Sequence, residues 1–123
     1  MGRTIMLVED YEDTRLFMKL LLESYGYEVI EAADGSEAVE SLKAHLPDLV
    51  LMDISMPVMD GITATRTIRG FAKGGNVPII AVTAYGRELH KKVLDAGCDD
   101  LIEKPIDFEE FETVLHRYLE DSK

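Results

Sequence analysis

Short apolar runs recur along the chain with amphipathic stretches between them: Ile5 to Val8, Val29 to Ile30, Leu49 to Met52, Ile79 to Val82 and Leu101 to Ile102. Runs of this length, rich in Val, Ile and Leu, predict five strands, and the stretches between them predict helices. The first helix carries Leu16, Phe17, Leu20 and Leu21 at a spacing that predicts one apolar side. It is expected to stop at Tyr25-Gly26, where glycine suits the left-handed position after a helix. Ala38, Val39 and Leu42 mark the second helix. Ile62, Ile68 and Phe71 mark the third, which breaks at Lys73-Gly74-Gly75-Asn76, a loop that needs positive φ. Leu89, Val93 and Leu94 stripe the fourth. The last, from about Asp107, is expected to bury Phe108, Phe111, Leu115 and Tyr118 before the polar tail Glu120 to Lys123. Strict strand-helix alternation with continuously apolar strands predicts an α/β fold, a doubly wound parallel sheet with helices on both faces. The chain has no internal repeat and no low-complexity tract.

Length and charge narrow the function classes. A chain of 123 residues fits one domain, able to bury roughly two-thirds of its unfolded surface without staples. Thirteen basic residues against twenty-four acidic ones give a net charge of −11, which repels nucleic acid and anionic membrane. The amino terminus has no room for a secretory segment or a membrane span, and Met6 breaks the myristoylation pattern after Gly2, so the expected location is the cytoplasm. The single cysteine, Cys98, follows Ala96-Gly97 and reads as a small packed residue. His45, His90 and His116 fall on separate helices, share no metal-ligand spacing and are assigned no chemistry.

The chemistry is carried by acids at strand ends. Glu9 and Asp10 close the first apolar run and Asp53 closes the third, about 44 positions later. In an open parallel sheet the carboxyl ends of the strands face one crevice, so these groups can converge. Asp10 or Asp13 could instead cap the first helix, but Asp53 follows four apolar residues, where desolvating a carboxylate is expensive without a partner. Two carboxylates roughly 4 Å apart repel by about 4 kcal/mol at an effective dielectric near 20, so a cluster of three calls for a cation. Oxygen-only ligands favour magnesium over zinc. Thr83 ends the fourth run and Lys104 follows the fifth, so four of the five strands deliver a polar group to one edge.

Together these residues suit phosphoryl chemistry. Asp53 supplies a nucleophilic oxygen, Glu9 and Asp10 hold a divalent ion, and Lys104 and Thr83 bind phosphoryl charge. A P-loop and a dinucleotide fingerprint are both absent, and the acidic run Glu9 to Asp13 would repel a flavin phosphate.

Four segments, Val8-Glu9-Asp10, Leu51 through Gly61, Ile80-Ala81-Val82-Thr83-Ala84, and Ala96-Gly97-Cys98-Asp99-Asp100 through Lys104-Pro105, occur in the order and spacing of one known family. Over essentially its whole length the chain resembles the receiver domain of two-component response regulators. The resemblance implies a flavodoxin-like sheet in the order 2-1-3-4-5. It implies that Asp53 is the phosphoacceptor, taking its phosphoryl group from a histidine kinase or a histidine phosphotransfer protein. Magnesium would be held by Glu9, largely through bound water, by Asp10, by Asp53 and by the backbone carbonyl of Ser55. Lys104, before a cis proline, would be the phosphoryl counter-ion, and Thr83, with the amide of Ala84, the switch that follows phosphorylation. Such a protein regulates rather than acting as a conventional enzyme, catalysing its own phosphorylation and dephosphorylation. It would pass its state to a downstream protein target, as a monomer or a weak phosphorylation-dependent dimer, with no direct contact to nucleic acid or membrane.

Two departures stand out. The position three before the lysine, Tyr or Phe in most relatives, is Leu101, which removes the usual aromatic readout. The positions two beyond Asp53 and two beyond Thr83, which flank the attacking water, are Ser55 and Tyr85, with opposing effects on phosphate lifetime. The Met56-to-Gly61 stretch looks most like receivers of hybrid kinases and phosphorelays. The starting methionine and polar tail point to a single receiver domain over 1–123 with no output domain, while a receiver cut from a longer hybrid kinase is the alternative. A magnesium-dependent phosphatase of the haloacid dehalogenase type is disfavoured by Ser55, where those enzymes carry a second acid. A degenerate docking receiver would have lost one of the acids, the lysine or the acceptor, and none is lost.

Overall fold

The computed structural model describes residues 3–54, 60–71 and 75–119. The strands are β1 (Thr4–Val8), β2 (Glu28–Ala32), β3 (Leu49–Asp53), β4 (Ile79–Thr83) and β5 (Asp100–Glu103). They alternate with α1 (Glu12–Ser24), α2 (Gly35–Ala44), α3 (Gly61–Arg69), α4 (Gly86–Ala96) and α5 (Phe108–Leu119). Every pairing is parallel and the order is β2-β1-β3-β4-β5, as the resemblance implied.

The runs of β1, β3 and β4 are continuously apolar because these three strands bury both faces, whereas the edge strands β2 and β5 are partly exposed. Met6, Val8, Val50, Met52, Ile79 and Ala81 face one core with Leu42 of α2, Ile68 of α3 and Val93 of α4. Their alternate neighbours Ile5, Leu7, Leu49, Leu51, Ile80 and Val82 face the other, with Met18 and Leu22 of α1 and Phe111 and Leu115 of α5. The period-two alternation of a strand thus divides one apolar run between two cores.

Three helices present faces other than those expected. On α1 the buried residues are Met18 and Leu22, backed by half-buried Leu21 and Tyr25, whereas Leu16, Phe17 and Leu20 are more than half exposed. At about 100° per residue, Leu16 and Leu20 lie about 160° from Met18, so only one of two equally periodic apolar sets can meet the sheet. On α4, Val93 and Ala96 are buried and Leu94, about 100° round the helix from Val93, is exposed. On α5, Phe111, Val114, Leu115 and Leu119 are buried and Tyr118 is half-buried. Phe108, the first residue of that helix, is half exposed and meets Phe17 instead, with ring centroids 6.1 Å apart.

Helix ends follow local chemistry. Gly26, at φ 99°, ends α1 as expected. Asp34 caps α2 and Asp60 caps α3, their side chains accepting the N–H groups of Glu37 and Thr63. The third helix stops at Arg69, so Phe71 lies beyond it, half-buried against the core under the Lys43 ammonium. Lys73 and Gly74 of the predicted break lie outside the described residues. At the edge remote from the site, the Arg69 guanidinium donates to the carbonyls of Gly97 and Val77 and pairs with Asp99 at 2.8 Å, tying α3 to the approaches to β4 and β5.

Candidate functional site

The strand order gathers the predicted residues. β1, β3, β4 and β5 are successive neighbours, so the groups that follow or end them lie side by side along one edge. Glu9 and Asp10 follow β1, Asp53 ends β3, Thr83 ends β4, and Lys104 follows β5. Asp53 pairs in register with Val82, and the Lys104 N–H donates to the Thr83 carbonyl at 2.9 Å. One open cleft is lined by Glu9, Asp10, Asp53, Ala84, Tyr85 and Lys104, together with Tyr11 and Thr14.

Glu9, Asp10 and Asp53 each offer a carboxylate oxygen, and the three atoms lie within 4.8 Å of one another. Glu9 and Asp53 are each only 5% exposed, whereas Asp10 is open to solvent. The Lys104 ammonium stands 3.6 Å from Glu9 Oε1. Glu9 Oε2 accepts the Tyr11 N–H at 3.1 Å, and the Glu9 carbonyl accepts from the Arg15 guanidinium at 3.0 Å. The residue at the N-cap of α1 is Tyr11, with no side-chain cap, so neither Asp10 nor Asp13 fills that role. Asp10 is left to the cleft. Three clustered carboxylates and one ammonium leave an excess of negative charge, and the donors are all oxygen, so the site fits a small hard divalent cation.

Thr83 is buried, and its hydroxyl oxygen accepts the Tyr85 N–H at 3.0 Å, which folds the following loop back over the strand end. Ala84 and Tyr85 are exposed at the mouth. Leu101 is half-buried and packs against the core on the α2–α4 side of the sheet, beside a surface groove with Gly86, Arg87, His90 and Glu103. Gly61 opens α3, its N–H donating to the Ile54 carbonyl at 3.1 Å. A Cβ there would lie 2.4 Å from the Asp53 carbonyl oxygen, so the helix start is seated directly on the strand end that carries Asp53.

The family profile described as the response regulator receiver domain matches residues 5–116. The chain belongs to that family. Similar sequences include the polar-differentiation response regulator DivK of Brucella anthropi and of Brucella ovis, each 34% identical over 123 residues, 99% of this chain and 100% of theirs. Among solved structures, the receiver domain of the sensor histidine kinase PA1611 from Pseudomonas aeruginosa is 39% identical, with a TM-score of 0.90 over 96% of this chain and 98% of that one. That crystal structure holds a magnesium ion coordinated in the active-site cleft. The chemotaxis protein CheY4 of Vibrio cholerae is 28% identical, with a TM-score of 0.90 over 97% of this chain and 100% of its own.

The structure of this receiver brings Glu9, Asp10, Asp53, Thr83, Ala84 and Lys104 to one cleft edge, while Ser55 lies outside the described residues. The Lys104–Pro105 bond is cis. Cys98 is buried, with Sγ 3.6 Å from the Thr65 hydroxyl, and burial pushes its thiol pKa up, which suits a packed residue. The three histidines are exposed and none lines the cleft. Sequence reasoning passed over Arg15 and Gly61. Arg15 looks like any polar helix position, and the glycine after Asp60 signals a helix start without revealing what lies against it. No described helix is long and apolar enough to cross a membrane.

Proposed function

We propose that this receiver is a phosphoacceptor signalling module in which Asp53 takes a phosphoryl group from a phosphohistidine and the modified protein changes its binding to partners. The convergence of Asp53 with Glu9, Asp10 and Lys104 at one sheet edge carries the reading. In the transfer an Asp53 carboxylate oxygen bonds to phosphorus as the donor's N–P bond breaks, its electron pair returning to the imidazole nitrogen. Glu9, Asp10 and Asp53 would hold magnesium, which when bound offsets the charge of carboxylate and phosphoryl oxygens. The carbonyl of Ser55 joins that set on the resemblance alone. Lys104 meets the phosphoryl charge. The Thr83 hydroxyl, which now accepts from Tyr85, turns to donate to a phosphoryl oxygen alongside the Ala84 amide. Such a change biases two conformations of the loop that follows.

Incubation with magnesium and acetyl phosphate, followed by intact-mass measurement, tests this directly. One added phosphate is expected on the wild type, none on Asp53→Asn and none with excess chelator. Labelling of Asp53→Asn at the wild-type rate, or labelling indifferent to the chelator, overturns the assignment.

The exposed face of α1 supplies the docking half of the reading. Phe17 is 52% exposed and Leu20 56%, and with Leu16 and Phe108 they form an apolar strip beside the cleft. Exposed Glu12 and Asp13 in the first turn of α1, and Glu109 and Glu110 in the first turn of α5, put acidic charge on the same two helices. An apolar strip on helices that carry acidic charge, next to the phosphoacceptor, suits a donor helix with an apolar centre and a basic rim. Phe17→Asp should therefore cut transfer from any histidine phosphotransfer protein that labels the wild type by about tenfold or more, while labelling by acetyl phosphate stays unchanged. Equal losses with both donors would show that Phe17 serves the fold or the cleft instead.

A further inference from the structure

Arg15 and Glu31 contribute nothing to the carboxylate cluster, yet together they tie the loop that carries it to the neighbouring edge strand. Arg15 lies in the first turns of α1 and Glu31 on β2. One guanidinium nitrogen of Arg15 donates to the Glu9 carbonyl at 3.0 Å, while its Nε donates to Glu31 Oε1 at 3.2 Å. The Lys19 ammonium, 3.5 Å from Glu31 Oε2, holds the other side of that carboxylate. The Glu9 N–H donates to the Ala32 carbonyl at 3.0 Å, also on β2. Both backbone polar groups of Glu9 are therefore referred to the same strand, one directly and one through Arg15.

The Glu9 carbonyl belongs to the peptide plane that leads into Asp10. Because that unit is rigid, fixing the carbonyl fixes the plane and with it the Cα from which the Asp10 carboxylate projects. Asp10 itself is exposed, so burial of its side chain does not supply this restraint. A cation site needs its oxygens held within a few tenths of an ångström, and groups behind the ligands supply that restraint.

We infer that Arg15 is a positioning residue for the divalent-ion site, with Glu31 orienting it, an inference that rests on the reading of Glu9, Asp10 and Asp53 as a magnesium site. The competing account is purely electrostatic, with the guanidinium acting only as a positive charge near the acids. The two differ in sign. Removing a repelling charge should tighten magnesium binding, whereas removing a positioning group should weaken it.

Titration of the intact chain with magnesium chloride, followed by amide chemical shifts, separates them. Arg15→Ala should bind magnesium about tenfold more weakly than wild type. Arg15→Lys keeps the charge but loses the fork that spans Glu9 and Glu31, and it should also bind more weakly. The metal-free melting temperature, read in parallel, identifies any variant that has lost its fold. If Arg15→Ala is one, Arg15→Lys decides. Glu31→Gln should weaken binding in the wild-type background and have no further effect in Arg15→Ala, because it acts through the guanidinium. Unchanged or tighter binding in Arg15→Ala, wild-type affinity in Arg15→Lys, or additive effects of Arg15 and Glu31 would each overturn the inference. Failure of the wild type to bind magnesium would overturn the reading beneath it instead.

Discussion

Gly61→Ala should destabilise this receiver by about 1–3 kcal/mol, the usual cost of forcing extra atoms into a packed contact, and should slow phosphorylation of Asp53. An ideal Cβ at position 61 would lie 2.4 Å from the Asp53 carbonyl oxygen, 2.8 Å from Ile54 Cα and 2.9 Å from Ile54 Cδ1. The first two atoms are backbone, so no rotamer change relieves the clash; either α3 lifts away or the end of β3 moves, and β3 carries Asp53, the proposed acceptor. Lifting the helix also stretches the bond from the Gly61 N–H to the Ile54 carbonyl. Gly86→Ala is the control. The three atoms nearest its Cβ would all belong to the side chain of Glu103, 2.4 Å away at Cγ, an exposed residue whose rotamer can change where backbone cannot. Urea unfolding midpoints and acetyl phosphate labelling of the two variants provide the comparison. A Gly61→Ala protein with the wild-type midpoint and labelling rate would mean that α3 is not seated on β3 as the structure shows.

Asp10→Asn should lose most of the melting-temperature rise that magnesium produces, and Lys104→Met should increase it. A ligand at 100 times its Kd stabilises the folded state by about 2.7 kcal/mol, and at about 4 °C per kcal/mol the wild type should gain on the order of 10 °C. Asn keeps the size of Asp but removes one of three charges clustered within 4.8 Å, so magnesium loses its most exposed anionic ligand. The same substitution should raise the metal-free melting temperature, because repulsion within the cluster falls. Lys104→Met reverses both signs. The ammonium 3.6 Å from Glu9 Oε1 offsets part of the acidic charge that a cation would otherwise meet, so its loss destabilises the metal-free protein and strengthens the magnesium response. Lys104→Arg should keep the charge without restoring phosphoryl contact, since a planar fork does not replace a compact ammonium at the end of β5. Thermal scans with and without magnesium give the melting values, and the rate of acetyl phosphate labelling reads the Lys104→Arg defect. An equal magnesium response in Asp10→Asn and wild type would place the ion elsewhere.

The five strands, their alternation with helices and the acids at strand ends were legible in the sequence because each is a local property. The central strands β1, β3 and β4, buried on both faces, must be apolar throughout, the edge strands keep a short apolar pair, and a carboxylate that ends a fully apolar run is conspicuous. The 2-1-3-4-5 order, and the roles proposed for Asp53, Thr83 and Lys104, came through family resemblance, since spacing along the chain does not say which strands are neighbours. What tertiary structure alone decided was which of two equally periodic apolar sets on α1 faces inward. Met18 and Leu22 meet the sheet, and Leu16, Phe17 and Leu20 remain outside as a surface strip. It also decided that Tyr11, rather than Asp10 or Asp13, takes the N-cap position, leaving Asp10 in the cleft. The places of Gly61 and Arg15 emerged in the same way. A helix start so close to a strand end that a Cβ at Gly61 would lie 2.4 Å from the Asp53 carbonyl oxygen, and a guanidinium spanning the Glu9 carbonyl and Glu31 on another strand, are relations between separate elements. Periodicity records only how a residue stands to its own element, whereas these contacts exist once the elements are packed together.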